Sequence, residues 1–598
     1  MTPKTASIPQ PVLRRPLAGW AARAAGRVGL ALAAAWLVAC GGGGGSSPAP
    51  EQPGVTLTLS SSSGSAKAGE SVTTTATIVR TGGFAGAVTI AGSGAGAGVM
   101  VSGGVIGASA STAVVTIATS ADAAFGASVL GVTASASGVT VAPAGYTLTI
   151  TDPARSGPIP AAFARVGGVY QLPDYPSTRQ LSWVLAQLAA GTTTVQDINA
   201  RFTPQALSTT SAAQWQAFFQ ALRTSSPGAV VVDLVAATPV QVVALIGTPG
   251  SPATGRYLTL TTQYAGGGLI DALSAPAFAL NGSVQFAADQ GLTMAQAADK
   301  FLTLAPNASL LVARINNQQC IPVEQRNATV PRATGSIFKH WVLGALGQAV
   351  QEGAVSPTAT LALSAAETVP GSLLAREPVG ASLSLADMAT LMMGNSDNTA
   401  TDHLHQLVGR ARAEAALVRF NHGNPALMTP FLSVNEQFNL FAGVSLADAE
   451  AYAAGTEAYQ RSYTDSVLEP LGPVTGSQQH RSIFLTGSWQ ATPLDVCAVY
   501  AGMRRYSDQS QALRLMDRAL SSGVAQPFVR NEWERVWYKG GSLEATTGLM
   551  ALTHSWLLES DSRGTFVVVA LANNQAGGID AFQVQSVTSR ILQLVKAL

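Results

Sequence analysis

The sequence predicts a multidomain chain: a β-sandwich over residues 55–152, a small α+β domain over 153–290, and a larger mixed domain over 291–598 with one antiparallel sheet beside a helical lobe. Three observations predict it. At 598 residues the chain is too long for one core, because domains cluster near about 150 residues. Apolar residues alternate every second position in the first region, then recur at helical spacing, then alternate again near the end. Composition changes as well: ahead of Asp152 the first region holds only Lys67, Glu70, Arg80 and Asp122 as charges, and no tryptophan.

A separate segment precedes these domains. Residues 1–39 carry Lys4, Arg14, Arg15, Arg23 and Arg27 with no acid. The apolar run 28–39 is roughly half of the ~20 residues a spanning helix needs. It ends in Leu37-Val38-Ala39-Cys40, which resembles a bacterial lipobox. The resemblance implies a signal peptide over 1–39, a lipid on Cys40 that holds the mature chain to a membrane, and a place in the cell envelope. Gly41 in place of an aspartate implies the outer membrane, facing periplasm or surface. Residues 40–54, rich in Gly, Ser and Pro, read as a flexible tether. The formal charge is +1, and the leader supplies five of the positive charges. The remainder is mildly acidic and has no basic run, so nothing points to a nucleic-acid partner.

Within 55–152, short alternating runs at 55–59, 72–79, 87–90, 114–117 and 146–150 are separated by Gly-rich turns, the pattern of a sandwich. With Gly83-Phe84-Ala85-Gly86, the segment looks like the immunoglobulin-like modules appended to secreted bacterial enzymes, which implies a spacer or weak glycan binder. In 153–290, Leu181, Val184, Leu185 and Leu188 follow a helical period, as do Trp215, Phe218, Phe219 and Leu222. Strand-like runs follow at 230–234 and 257–260, then Gly266-Gly267-Gly268. In order and length this part resembles the cystatin- or isomerase-like domains found ahead of some serine hydrolases.

The last domain reads as a helix at 295–304, a strand at 309–314, a helix from Ser336, a mostly helical stretch to about 530, strands at 536–539, 548–558 and 566–572, and a closing helix. Cys320 and Cys497 lie 177 positions apart, and either a disulfide or two buried thiols satisfies the sequence.

Three short motifs fall on this frame. Ser336 and Lys339, in Gly335-Ser336-Ile337-Phe338-Lys339, sit three apart at the start of an apolar helical run, so both point from one face. A serine at a helix N-terminus has free N–H groups beside it, and a desolvated lysine one turn on can take its proton. Ser396-Asp397-Asn398 follows a helix whose start offers Ser384 and Asp387 as caps. Lys539-Gly540-Gly541-Ser542 lies at the end of a strand. Ser-x-x-Lys, Ser-Asp-Asn and Lys-[Thr/Ser/Gly]-Gly in this order resemble the signature of class A β-lactamases and penicillin-binding proteins.

The resemblance covers roughly 300–598. It implies a class A β-lactamase-like fold and a serine hydrolase in which Ser336 is the nucleophile, with Lys339 as its base. Ser396 relays a proton, and Lys539 supplies positive charge toward a substrate carboxylate. Asn398, Gly541 and Ser542 bind substrate, the last through a backbone N–H that completes an oxyanion hole with that of Ser336. Asp397 braces its loop. The substrate would be a small-molecule or peptidoglycan-derived amide, ester or β-lactam, with no cofactor.

Two departures stand out. The family's deacylating glutamate belongs to Glu-x-x-Leu-Asn, and the nearest text is Glu436-Gln437-Phe438-Asn439, which lacks the leucine and is one residue short. Glu436 is therefore only a candidate deacylation base, and efficient β-lactamase activity is not implied. The interval from Ser396 to Lys539 is long, which implies an insertion between 440 and 490. His403 and His405 face different sides of a helix, so no metal site is expected. A D-Ala-D-Ala-type peptidase and a true class A β-lactamase are the alternatives within the class. An envelope binding or adhesion protein with a scaffold hydrolase domain is the alternative outside it, although a scaffold has no need of Lys339 or Lys539. The sequence leaves oligomeric state open.

Overall fold

The computed structural model describes residues 52–598 except 97, 121–122, 124–125, 152–162, 164, 167–168, 249–254, 280, 317, 477–478 and 508–512. The expected signal peptide, Cys40 and all but the last residues of the tether lie outside the described residues. Among the described residues no helix is long and apolar enough to cross a membrane.

The alternating first region forms eight strands from Gly54–Leu59 to Ala144–Thr151. On Ser71–Thr81, Thr74, Ala76 and Ile78 point inward while their neighbours face solvent, which is the period of a half-buried strand. The strands differ from two separate sheets in one respect. They join in one continuous ladder, antiparallel except where Ser63–Lys67 runs parallel to Ala144–Thr151. The ladder curls round a single core of Ile78, Ile90, Val115, Ile117, Val132 and Leu148.

The next region puts four helices, from Pro176–Ala190 to Ala212–Ser225, ahead of a four-stranded antiparallel meander. Local chemistry sets the helix starts: Thr194 and Ser211 accept N–H bonds from Asp197 and Gln214, which reciprocate. Leu181, Val184 and Leu188 meet Trp215, Phe219 and Leu222 over the sheet, as the periodicity predicts. Two strands were not visible as separate runs. Gln241–Gly247 returns from Val230–Ala237 through the turn at Thr238, and Ile270–Ser274 closes the meander.

The last domain has the predicted arrangement. Its sheet runs Gln319–Arg326, Asn307–Asn316, Gly564–Asn573, Gly548–Ser560, Arg535–Ala545, all antiparallel. Helices Met294–Thr303 and Ala581–Val595 cover one face. The helical lobe covers the other, which is why the central strands read as continuous apolar runs. Leu310 and Val312 join the first core, and Leu311, Ala313 and Ile315 the second. The long interval holds a helical patch, Leu446–Ala454 to Thr464–Leu468, whose Tyr452 and Leu468 share a core with Phe441 and Phe484. Cys320 of the edge strand and Cys497 of helix Pro493–Ser507 are bonded, with Cα atoms 6.2 Å apart. The bond closes a loop around the lobe, the arrangement in which a crosslink most restricts the unfolded chain.

Lys539-Gly540-Gly541-Ser542 is not at the end of a strand but in the middle of Arg535–Ala545. That strand is the sheet's edge, and two glycines are tolerated there because another segment approaches its open side. A buried ion network lies behind it. Arg535 donates to Asp517 (3.1 Å) and Glu559 (2.6 Å), Arg504 donates to Glu559, and Trp537 Nε1 donates to Asp517 at 2.6 Å.

Candidate active site

The Ser336 turn is held from two sides before any chemistry is considered. Asn573 accepts from Ala333 N and donates to Ala333 O, Thr334 N donates to Trp489 O, and Thr553 Oγ1 donates to Thr334 O at 2.7 Å. Gly335 then takes a φ of +51°, which glycine adopts without a Cβ clash. The helix does not begin as an α-helix at Ser336. Gly335–Phe338 is a 3₁₀ turn, and Lys339–Gln351 is the α-helix that follows. Phe338 stacks on Trp489 at 3.7 Å between ring centroids, which fixes the turn against the lobe.

This turn and the Lys539 strand meet backbone to backbone. A Cβ on Gly541 would lie 2.3 Å from Thr334 O and 2.5 Å from Ser336 N, and one on Gly335 would lie 2.7 Å from Ser542 N. The N–H groups of Ser336 and Ser542 therefore border one seam, and Ser336 itself is partly buried. Among the described residues nothing hydrogen-bonds to its hydroxyl. The Ser542 side chain faces solvent.

Lys339 is fully buried one turn away. Its Nζ donates to Ser396 O (2.6 Å), Ser396 Oγ (3.2 Å) and Asn398 Oδ1 (2.7 Å). Burial lowers its pKa from 10.5 to about 7, opposed in part by Asp397 and Asp402. Lys539 Nζ donates to the same Ser396 Oγ at 2.9 Å and to Gly540 O at 2.6 Å, and burial plus the charge of Lys339 push its pKa well below the usual lysine range. Two ammonium groups sharing one hydroxyl in a dry site disfavour each other, so burial and mutual repulsion both favour loss of a proton from this pair. The fold thus brings Ser336, Lys339, Ser396, Asn398, Lys539, Gly541 and the Ser542 backbone to one place.

Ser396 holds its position at a φ of +56°, unusual for a residue with a Cβ. Its neighbour Asp397 caps helix Asn398–Val408 through Ala400 N (2.8 Å) and also accepts from Leu374 N (3.0 Å). This is the bracing role its position predicts. Ser384 caps the preceding helix, accepting from Asp387 N, but Asp387 itself turns to Tyr264 and Arg518.

Glu436 is engaged elsewhere. Arg410 grips its carboxylate with two N–H bonds, at 3.1 and 2.7 Å, and Ser433 N donates to it at 2.7 Å in a capping box. Nearby Asp402 accepts from Val434 N and Asn435 N, and burial raises its pKa to about 7. Both carboxylates fix the start of helix Val434–Ala442, so Glu436, the candidate deacylation base, has its carboxylate engaged by Arg410 and Ser433 N. Glu436→Gln is expected to lower unfolding free energy by about 2 kcal/mol, the worth of a charged hydrogen bond, in a denaturant melt. It should leave covalent labelling of Ser336 unchanged. His403 likewise serves the backbone: its ring bonds Ser364 N and Thr399 O, each at 2.8 Å.

The family model described as "Beta-lactamase enzyme family" matches residues 302–458, a span that contains Ser336, Lys339, Ser396, Asn398 and Glu436 and stops before Lys539. A second, described as "ORF 12 gene product N-terminal", matches 172–264, within the helix-then-meander region. No curated protein matches the chain. Among solved structures the chain is similar to a β-lactamase from Chitinophaga pinensis DSM 2588, at 15% identity over 50% of this chain and 97% of that one, with a TM-score of 0.35. It is also similar to a β-lactamase from Sphaerobacter thermophilus DSM 20745, at 18% identity over 51% and 96%, TM-score 0.35. A further similar structure is a PBP-A variant solved as an acyl-enzyme complex with penicillin-G, at 13% identity over 50% and 97%, TM-score 0.34. The protein is thus multidomain, and its last domain carries a segment similar to the β-lactamase enzyme family.

Proposed function

We propose that the chain is a serine hydrolase that works through an acyl-enzyme on Ser336, acting on an amide, ester or β-lactam. One observation carries the reading: a fully buried lysine, bonded to Ser396 and Asn398, lies one turn from a partly buried serine at a backbone seam. Neutral Lys339 takes the Ser336 proton as Oγ bonds to the substrate carbonyl carbon. The negative charge that develops on the carbonyl oxygen is met by the N–H groups of Ser336 and Ser542. As the carbon–nitrogen or carbon–oxygen bond breaks, Ser396 gives its proton to the departing atom and is resupplied from the lysine pair. Lys539 and Asn398 hold the substrate's carboxylate and amide. Export and attachment through Cys40 are part of the same proposal and rest on the lipobox resemblance.

Hydrolysis of the acyl-enzyme needs water and a base. Asp397 and Asp402, the carboxylates acting on Lys339, are bound to backbone N–H groups, and Glu436 is bound to Arg410, which favours slow release of a bulky penicilloyl group and better turnover of small esters. With nitrocefin, the wild type is expected to give a burst of about one equivalent and then slow turnover, and Ser336→Ala neither. Rapid steady turnover would overturn the slow-release part, and an unchanged signal from Ser336→Ala the whole reading.

A further inference from the structure

The region ahead of the last domain reaches the active site at Asn395. Asn395 directly precedes Ser396. Thr238 Oγ1 donates to Asn395 Oδ1 at 2.5 Å, and Asn395 Nδ2 donates to Gln241 Oε1 at 2.8 Å. Thr238 and Gln241 are the two ends of the meander's first turn. That turn is itself fixed by Ser177 Oγ on Thr238 O (2.5 Å) and by Thr262 N on Val240 O (2.8 Å). The surroundings are tight. Thr238 is fully buried, and a Cβ on Gly394 would come within 2.7 Å of its methyl carbon and 2.4 Å of Ser522 Oγ. Strand pairing of Ala237 N with Ser522 O and of Val524 N with Val235 O, each 2.8 Å, joins the two regions beside it.

We propose that Thr238 and Gln241 are positioning residues for Ser396: by clamping both ends of the Asn395 amide they hold the left-handed turn whose carbonyl and hydroxyl meet Lys339. A side-chain amide gripped at both ends cannot rotate, and it carries its backbone with it. A left-handed residue with a Cβ persists only where its surroundings hold it there. The region matched at 172–264 is therefore part of the active site's frame, although it contributes no group to the reacting atoms. Asn395 is not one of the motif residues, and nothing in its local sequence marks it.

The inference rests on acylation at Ser336, and the experiment separates the two. In the full chain, the rate of covalent labelling by a fluorophosphonate is measured from acid to alkaline pH, alongside thermal unfolding. The variants are Thr238→Val, Thr238→Ser and Gln241→Met. Val keeps the shape and loses the hydroxyl, whereas Ser keeps the hydroxyl and loses the methyl. Thr238→Val and Gln241→Met are each expected to slow labelling by about tenfold to a hundredfold, the effect of a small misplacement of a reacting group. Thr238→Ser should match the wild type.

The midpoint of the pH profile should also move to higher pH in the two slow variants. Loosening the turn admits water to Lys339 and relieves the burial that lowers its pKa, while Asp397, Asp402 and Lys539, the charged groups facing it, stay in place. If Thr238→Ser is as slow as Thr238→Val, methyl packing is what matters and the proposal fails. It fails also if folded Thr238→Val or Gln241→Met labels at the wild-type rate, or slows with an unmoved midpoint. A wild type that does not label at all overturns the Ser336 reading itself.

Discussion

Replacing Lys339 with methionine is expected to slow acylation of Ser336 by about a thousandfold, within the range that a positioned proton acceptor supplies. Methionine fills a similar volume without a charge, so the core around Trp341 and Leu343 should close over it. What disappears is the amine that meets Ser396 O, Ser396 Oγ and Asn398 Oδ1. The wild-type rate should rise with pH through about 7, the lowered pKa of Lys339, and the residual rate of the variant should lack that step. Stability carries the same signature. Between about 7 and 10.5 the unfolded chain holds the proton on Lys339 and the folded chain does not, so raising pH through this window favours folding, by at most about 1.4 kcal/mol per unit. The gain is complete above the window and absent below it. Lys539, shifted in the same direction, adds to the slope. Unfolding midpoints of Lys339→Met should climb less across this window than those of the wild type, and an identical climb would contradict the assignment.

The second large effect is expected from a single methyl group. In Gly541→Ala the new carbon would lie 2.3 Å from Thr334 O and 2.5 Å from Ser336 N. Both are backbone atoms of a turn in which Thr334 O accepts from Thr553 and Thr334 N donates to Trp489 O, so neither yields as a flexible side chain would. The edge strand must move off the Ser336 turn, and the two N–H groups that border the seam separate. Acylation should fall by about a hundredfold or more, the usual loss when one oxyanion donor is removed. The pH midpoint should move little, because Ser396, Asn398, Asp397 and Asp402, which meet Lys339, lie on other elements. That contrast distinguishes a damaged oxyanion site from a damaged base. A Gly541→Ala chain that labels at the wild-type rate would show that the seam does not hold the reacting oxygen.

Much of this arrangement is legible in the chain because its parts are local. Ser336 and Lys339 declare their shared face by spacing, Ser384 declares a helix start, and the late strands declare themselves by their apolar runs. What escapes is non-local. The grip of Thr238 and Gln241 on Asn395 joins residues 154 or more positions apart, and a threonine in a turn reads only as a turn. Arg504, Asp517, Arg535 and Glu559 look like scattered surface charges until the fold buries them together. The cysteine pair was undecidable for the same reason. Glu436 shows the opposite hazard. Its text sits near a family pattern, yet Ser433 three residues earlier was the better local signal, since a serine followed by a glutamate at that distance is a capping box. Lys539-Gly540-Gly541 reads as a strand's end, because two glycines look like a terminus where they mark a close approach along an edge.

The most direct test is the mass of the protein after brief mixing with benzylpenicillin or with an activated acetate ester, followed by digestion and peptide mapping. One acyl group per chain is expected on the peptide that carries Ser336, long-lived with the penicillin and short-lived with the acetate, and absent in Ser336→Ala. An unmodified protein, or an acyl group on any other residue, would contradict the Ser336 assignment.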